Sequence, residues 1–139
     1  MTKASKSSLV IDIINLQSKV QRRMSGALTP HGIGLTEYLV LHQLSLAANH
    51  SMRRIDLAER IGLSPSGITR LLNPMQKIGL ITKEVNPRDA RVSLVALSSA
   101  GKRIYGEANI SFAHASNALF EAFDAKQIKA LEGLLTTAA

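Results

Sequence analysis

The residues best suited to chemistry in this chain are short hydroxyl, amide and basic side chains on one face of a predicted helix at 64–78. They are Ser64, Ser66, Thr69, Arg70 and Asn73. An arginine can form a bidentate pair with guanine, and free N–H groups at a helix N-terminus bind phosphate. The opposite face is apolar at helical spacing, with Ile68, Leu71, Leu72 and Met75. The pattern favours a helix that buries one face and presents the other to the major groove of duplex DNA.

Local sequence signals set the bounds of this helix. Ser64 is a suitable N-cap, Pro65 suits the first helical position, and Gly79 is a stop. Pro74 lacks an amide hydrogen and clashes with the preceding turn, so we expect the chain to kink there or the helix to divide near Asn73. The alternative is an ordinary amphipathic surface helix with a solvated polar face. Glycine and proline would be poor choices inside such a helix, since they cost about 1 and about 3 kcal/mol relative to alanine.

A basic β-hairpin is predicted directly after the helix. Residues 81–97 have the composition of two strands joined by the turn-forming run 86–90. Its basic residues are Lys83, Arg88 and Arg91, which can contact the DNA backbone or enter the minor groove. Asp89 precedes Arg91 by two residues, so its carboxylate can hold that guanidinium in place. The alternative is a solvated hairpin with an ordinary surface ion pair.

The charge of the chain agrees with a phosphate-binding surface. The 139 residues include 17 basic and 10 acidic side chains, for a net charge of +7. Residues 52–103 alone carry ten basic and four acidic side chains, as counterion release from DNA would favour. Aromatic residues make up only 4% of the chain, too few for a platform that stacks single-stranded bases. Duplex DNA therefore fits better than RNA.

Several other classes of protein find little support in the sequence. The chain has no cysteine, which excludes disulfides, thiolate metal sites and thiol redox sensing. The histidines form no i, i+4 ligand pair, so we expect no metal or cofactor; a site shared by His42 and His114 is the metal alternative. No catalytic motif points to an enzyme. With no bilayer-length apolar run and no signal-peptide cleavage site, we expect a cytoplasmic protein without membrane association.

Helical periodicity dominates the rest of the chain and predicts a mainly α protein of about six helices with a small β-hairpin wing. The five further helices are expected at about 9–27, 37–48, 52–62, 99–121 and after residue 124. Thr36 is a suitable N-cap for the second of them, with Leu35 and Val40 as a hydrophobic staple. Ser98 and Asp124 are suitable N-caps for the last two.

Two apolar stripes lie at opposite ends of the chain. One runs along the 9–27 helix, and the other comprises Ile128, Leu131, Leu134 and Leu135. Neither stripe is needed inside a compact core, so we expect two chains to bury both in a two-fold dimer. Such a dimer sets two recognition helices roughly 34–36 Å apart and predicts a pseudo-palindromic operator. A monomer that closes on itself is the alternative.

Residues 35–101 resemble the multiple-antibiotic-resistance regulator (MarR) family of winged helix-turn-helix transcriptional regulators. The matching segments are GLTEYLVLHQL, DLAERIGLSPSGITRLL, KIGLI and RDARVSLVALSSAG. The last contains the family's Asp-x-Arg wing signature, with Asp89 and Arg91, and its closing residues Leu97, Ser98 and Gly101. The resemblance implies one domain over 1–139. Its parts are a winged-helix DNA-binding lobe at about 35–98 and dimerisation helices at about 8–28 and 99–138.

The resemblance also implies a function, that of a homodimeric repressor. The implied DNA contacts come from Ser64, Ser66, Thr69, Arg70, Arg88 and Arg91. Small aromatic or anionic effectors release many members of the family from DNA, and the residues placed to bind one here are Arg22, Arg23, Tyr38 and His42. Two positions depart from the family: Gly67 replaces a larger polar residue, and Pro74 interrupts a usually continuous helix. The alternative from another class is a winged-helix protein-interaction module or antirepressor that does not itself bind DNA.

Overall fold

The computed structural model describes residues 5–139, which form six α-helices and three β-strands. The helices are α1 (Lys6–Leu28), α2 (Leu35–Leu46), α3 (Arg54–Ile61), α4 (Pro65–Lys77), α5 (Ser99–Leu119) and α6 (Ala125–Ala138). The strands are β1 (Ser51–Arg53), β2 (Ile81–Asn86) and β3 (Asp89–Leu97). The predicted mainly α winged-helix fold is confirmed. None of the helices described is long and apolar enough to cross a membrane.

The sheet is antiparallel with the order β1-β3-β2, so the predicted hairpin has a third strand beside it. The prediction of a helix beginning at residue 52 is wrong, because Met52 pairs with Val95 of β3 and the helix begins at Arg54. The chain is turned into β1 by Asn49 and His50, whose φ angles are 56° and 53°. Pairing with a strand distant in the sequence therefore overrides the local helical pattern here.

Helix α2 begins two residues earlier than the sequence indicates. Its N-cap is Gly34, whose backbone N–H donates to the Glu37 Oε1 at 2.7 Å. This side-chain bond satisfies an amide that the helix itself leaves unpaired. Thr36 is consequently inside the helix, and both its predicted role as N-cap and the staple built on Leu35 are wrong.

Helix α4 runs without interruption from Pro65 to Lys77, so a division near Asn73 is ruled out. Its predicted N-cap is confirmed, since the Ser64 Oγ accepts a hydrogen bond from the Gly67 N–H at 3.0 Å. Leu72 and Met75 are buried on either side of Pro74 and keep both halves against the core.

The core lies between α2, α3, α4 and the inner ends of the sheet strands. Its fully buried side chains are Leu28, Val40, Leu41, Leu44, Leu57, Ile68, Leu72 and Met75. Helix α5 begins tightly against this core. A Cβ on Gly101 would lie 2.1 Å from the Leu80 carbonyl oxygen, so only glycine fits there. Helix α4 and the hairpin are thus carried on one packed core.

Helix α1 is divided between two environments. Its C-terminal end is buried, with Met24 and Leu28 packed inside a fold in which α1 contacts α2 and α5. Its N-terminal half exposes a set of apolar side chains, namely Leu9, Val10, Ile11, Ile13, Ile14 and Leu16. The whole stripe at 9–27 was predicted to lie outside a compact core. That is correct only for its first half.

Candidate nucleic-acid interface

Helix α4 has the two faces that the sequence predicts. Ile68, Leu72 and Met75 are buried beneath it. The opposite face holds the predicted contact residues, of which Thr69 is half-buried and the others exposed: Ser64, Ser66, Thr69, Arg70 and Asn73. A helix anchored in this way can present its polar face to a groove without leaving the domain core.

The N-terminus of α4 is arranged for close approach by a phosphate. Pro65 has no N–H, and the N–H of Gly67 is bonded to Ser64, which leaves the Ser66 amide as the donor of the first turn. A Cβ at position 67 would lie 3.1 Å from the Ser64 Oγ. The glycine that departs from the family pattern therefore leaves room for the N-cap.

Thr69 is held by a residue that the sequence analysis missed. Its hydroxyl donates to the Pro65 carbonyl at 3.0 Å and accepts from the Arg54 Nη1 at 3.0 Å. Arg54 is half-buried at the first residue of α3, next to Arg53, which pairs with Asp56 at 3.0 Å. Two adjacent arginines before a short helix were the only signal in the sequence, and it did not identify the partner.

The wing brings Asp89 and Arg91 together as predicted. The Asp89 Oδ1 accepts from the Arg91 backbone N–H at 3.0 Å and from its Nε at 3.1 Å, and Nη2 lies 3.3 Å from Oδ2. The Arg91 side chain is 90% exposed. Its guanidinium and backbone N–H bonds hold the pKa of the Asp89 carboxyl below the ordinary value. The guanidinium is thus oriented by a carboxylate that stays ionised.

The other two basic residues of the wing are solvent-exposed. Arg88 is at the tip, where its backbone N–H donates to the Asn86 side chain at 2.9 Å and closes the turn. Lys83 lies on β2, paired in register with Val95. Both side chains extend from the hairpin without an ion-pair partner among residues 5–139.

A cleft of about 410 Å³ joins the recognition helix to the wing. Ile55 and Ile68 are among its apolar lining residues, and its cations are Arg53, Arg54 and Arg91. Two of the predicted contact residues, Thr69 of α4 and Arg91 of the wing, line this cleft together. Recognition helix, cleft and wing together form what we call the basic face.

The residues predicted to bind an effector fall into two groups. Tyr38 and His42 lie in an aromatic cluster between α2 and α5. The Tyr38 hydroxyl donates to the Asn109 Oδ1 at 3.0 Å, and its ring stacks on Phe112 with centroids 4.3 Å apart. The His42 Nδ1 lies 2.8 Å from the Tyr105 hydroxyl. Burial, with a smaller contribution from Tyr105, raises the pKa of Tyr38 well above its ordinary value.

Arg22 and Arg23 lie apart from that cluster. They are exposed on α1, where they line a shallow depression with Lys19. His114 is also exposed, and the ring of His42 is bonded to Tyr105. Within residues 5–139 no group of three or more histidine, aspartate or glutamate side chains has the geometry to hold a metal ion.

Comparison with known proteins gives a family match over the same surface. Residues 33–93 match the model of the MarR family. The transcriptional repressor MprA of Escherichia coli K12 is 27% identical over 94 residues, which are 68% of this chain and 53% of the repressor. The chain therefore spans about half the length of that relative in the alignment.

Solved structures share the fold at low sequence identity. A mutant of Escherichia coli MarR, crystallised with operator DNA, superposes with a TM-score of 0.83 at 22% identity, covering 97% of this chain and 99% of that one. CouR from Rhodococcus jostii RHA1, bound to p-coumaroyl-CoA, superposes with a TM-score of 0.87 at 23% identity, covering 99% and 95%. At this level of identity the likeness establishes the fold.

Proposed function

We propose that the chain, whose residues 33–93 match the model of the MarR family, is a transcriptional repressor that binds a pseudo-palindromic operator as a homodimer. The match to this family supports a DNA-binding regulator rather than an enzyme. The observation that carries the finer proposal is the basic face, on which carboxylate-oriented Arg91 lines the cleft together with Thr69, and Arg70 is exposed next to Thr69 on α4. In this proposal the DNA-binding lobe extends over about 35–98.

The base and backbone contacts are assigned by position on the basic face. Ser64, Ser66, Thr69, Arg70 and Asn73 enter the major groove. Lys83, Arg88 and Arg91 hold the flanking backbone or minor groove, and Asp89 orients Arg91. A bidentate arginine–guanine contact from Arg70 contributes roughly 1–3 kcal/mol of base discrimination.

The exposed apolar half of α1 supports the homodimer. Leu9, Ile13 and Leu16 follow one helix face and are 48–64% exposed in the single chain. At the other end of the sequence, Leu134 and Leu135 of α6 are also exposed. Large contiguous apolar patches on a soluble protein indicate an interface. We assign the two surfaces to a second copy, with dimerisation helices at about 8–28 and 99–138.

We also propose that a small aromatic or anionic effector acts at the cluster of Tyr38 and His42. The cluster lies between α2, which belongs to the DNA-binding lobe, and α5, which is one of the proposed dimerisation helices. An aromatic molecule that displaced Tyr105 or Phe112 would alter how these two helices pack, and so the spacing of the recognition helices. Arg22 and Arg23 of α1 are the candidates for an anionic group of the effector.

The test of DNA binding is the double substitution Arg70→Ala with Arg91→Ala, measured by titration of selected duplexes at several salt concentrations. We expect about tenfold or greater loss of affinity and a salt slope shallower by about 1–2. The matched control is Arg103→Ala, which removes an exposed arginine of α5 outside the basic face. Unchanged affinity and slope in the double variant would favour a protein-interaction module or antirepressor instead.

A further inference from the structure

The geometry points to Thr69 as the reader of a thymine methyl group, with Arg54 as the positioning residue that fixes the threonine for this role. This inference rests on the proposed DNA binding and specifies what one position of the operator must be. The bond between Arg54 and Thr69 is not evident from the sequence, because fifteen positions separate the two residues.

The hydroxyl of Thr69 is already committed to protein atoms. Its proton is donated to the Pro65 carbonyl, and one of its lone pairs accepts from the Arg54 guanidinium. A hydroxyl has a single proton to donate. It therefore has none for the acceptor atoms of guanine or for the O4 of thymine, unless the bond within the helix breaks.

The γ-methyl of Thr69 remains uncommitted, together with one lone pair of the hydroxyl, which could accept only from the amino groups of adenine or cytosine. Thr69 lies one turn into α4, half-exposed, next to Arg70 on the face proposed to enter the groove. In the major groove the C5 methyl distinguishes thymine from the other bases, and a threonine methyl is a suitable apolar partner for it. The chemistry assigned to this position is apolar contact.

Arg54 restricts the side-chain rotamer of Thr69. Threonine in a helix divides its side chain between two rotamers, because its hydroxyl can bond carbonyls of the preceding turn. The Nη1 of Arg54, held at 3.0 Å from the hydroxyl, favours the rotamer seen here.

Arg54 bonds Thr69 because the adjacent Arg53 pairs with Asp56. Arg53 takes both oxygens of the nearest carboxylate, Asp56, at 3.0 and 3.3 Å. Arg54 is left with the neutral hydroxyl of Thr69 and lines the cleft beside Pro65.

The experiment removes single methyl groups from DNA. After an operator is selected from random duplexes, each thymine is replaced in turn by deoxyuridine, which lacks only the C5 methyl, and affinity is measured. We expect the affinity of the wild-type protein to fall about fourfold when the thymine at one position of each half-site is replaced, as burial of one methyl group implies. Thr69→Ser keeps the hydroxyl but lacks the methyl, so it should no longer distinguish thymine from deoxyuridine there. Thr69→Val keeps a methyl and should still distinguish them.

The role of Arg54 is tested by a ratio of affinities. Arg54→Met keeps the length of the side chain and removes its hydrogen bonds and charge. A lost phosphate contact would weaken binding to thymine and deoxyuridine operators equally, whereas lost positioning lowers the ratio between them. We expect the ratio to fall toward one, and we expect Arg60→Met, which removes an exposed arginine of the same helix, to leave it unchanged.

The outcomes separate this inference from the proposed function. If Thr69→Ser discriminates as well as the wild type, or if no thymine is sensitive, the inference is wrong while salt-dependent operator binding stands. An unchanged ratio in Arg54→Met removes Arg54 from the proposal. If the wild-type protein selects no duplex at all, the proposed function itself fails.

Discussion

Asp89 accepts two hydrogen bonds from Arg91 at a single oxygen, one from the backbone N–H at 3.0 Å and one from Nε at 3.1 Å. The backbone bond closes the turn, and the side-chain bond orients a guanidinium that is 90% exposed. The acidic residue lowers the positive charge of the wing, and yet it fixes the direction of an exposed cation.

We predict that Asp89→Asn weakens specific DNA binding. Asparagine keeps an oxygen for the Arg91 amide but loses the negative charge that pairs with the guanidinium, and the contribution of such an exposed pair is small. Affinity for the selected operator should fall about 2–5-fold. Affinity for unrelated duplex should not fall, because the protein has become more positive. Both are measurable by competition titration.

The control for this substitution is Glu107→Gln on α5, which removes one negative charge from an exposed pair with Arg103. Since the pKa of Asp89 is lowered in the folded protein, its ion pair is present above the ordinary carboxyl pKa and is lost only as the pH falls through the lowered value. The loss in Asp89→Asn should therefore be constant between pH 5 and 8. Equal gains of operator affinity in the two variants would contradict a positioning role.

Ile13→Glu should convert the proposed dimer to a monomer. Ile13 is 64% exposed on α1 of the single chain, so a charge there costs the isolated fold little but cannot be buried between two copies. Sedimentation equilibrium would measure the mass, and operator affinity should fall with it, since one recognition helix would then bind alone. Leu46→Glu provides the comparison, because Leu46 is 70% exposed at the last residue of α2 and belongs to neither apolar stripe. If the Ile13→Glu variant is still a dimer, as the wild type is expected to be, the assignment of this face to the dimer interface is wrong.

Features set by neighbours in the sequence were predictable, because their physical cause is local. The cap of α4 joins Ser64 to Gly67, and the ion pair of the wing joins Asp89 to Arg91. In each case the partners are two or three residues apart. Helical spacing likewise predicted that Ile68 would face the core.

Features set by distant partners were missed, because spacing along the chain gives no distance in space. β1 exists only through its pairing with β3, more than forty residues later. The bond from Arg54 to Thr69 crosses from one helix to the next, and Tyr38 meets Asn109 across 71 positions. The continuity of α4 through Pro74 has the same origin, since tertiary packing compensates for a local defect.

Gly101→Ala should destabilise the fold. The added Cβ would lie 2.1 Å from the Leu80 carbonyl oxygen, and backbone at that distance must shift. We expect a loss of about 1–3 kcal/mol in the free energy of unfolding, measured with urea. Gly106→Ala is the matched control on the same helix, where a Cβ meets nothing within 4 Å. It should gain roughly 0.5–1 kcal/mol from helix propensity. Equal effects of the two substitutions would contradict the close approach.

Tyr38→Phe should change how stability depends on alkaline pH. In the folded protein the pKa of Tyr38 is raised by burial, whereas in the unfolded chain it is about 10. The protonated Tyr38 side chain therefore contributes fully to the stability of the fold below pH 10. Above that pH the unfolded state loses a proton that the folded state keeps, so stability falls by up to about 1.4 kcal/mol per pH unit.

The measurement compares urea unfolding of the wild-type and Tyr38→Phe proteins from pH 8 to pH 11. The variant lacks the hydrogen bond to Asn109, so it should be less stable than the wild type at pH 8. Because phenylalanine does not titrate, the free energy of unfolding of the variant should fall less between pH 8 and pH 11. Lysine titration affects both proteins alike and cancels in the difference. Tyr105→Phe leaves Tyr38 buried and should retain the steep alkaline loss. Parallel curves for wild type and Tyr38→Phe would show that the Tyr38 hydroxyl reaches solvent before the protein unfolds.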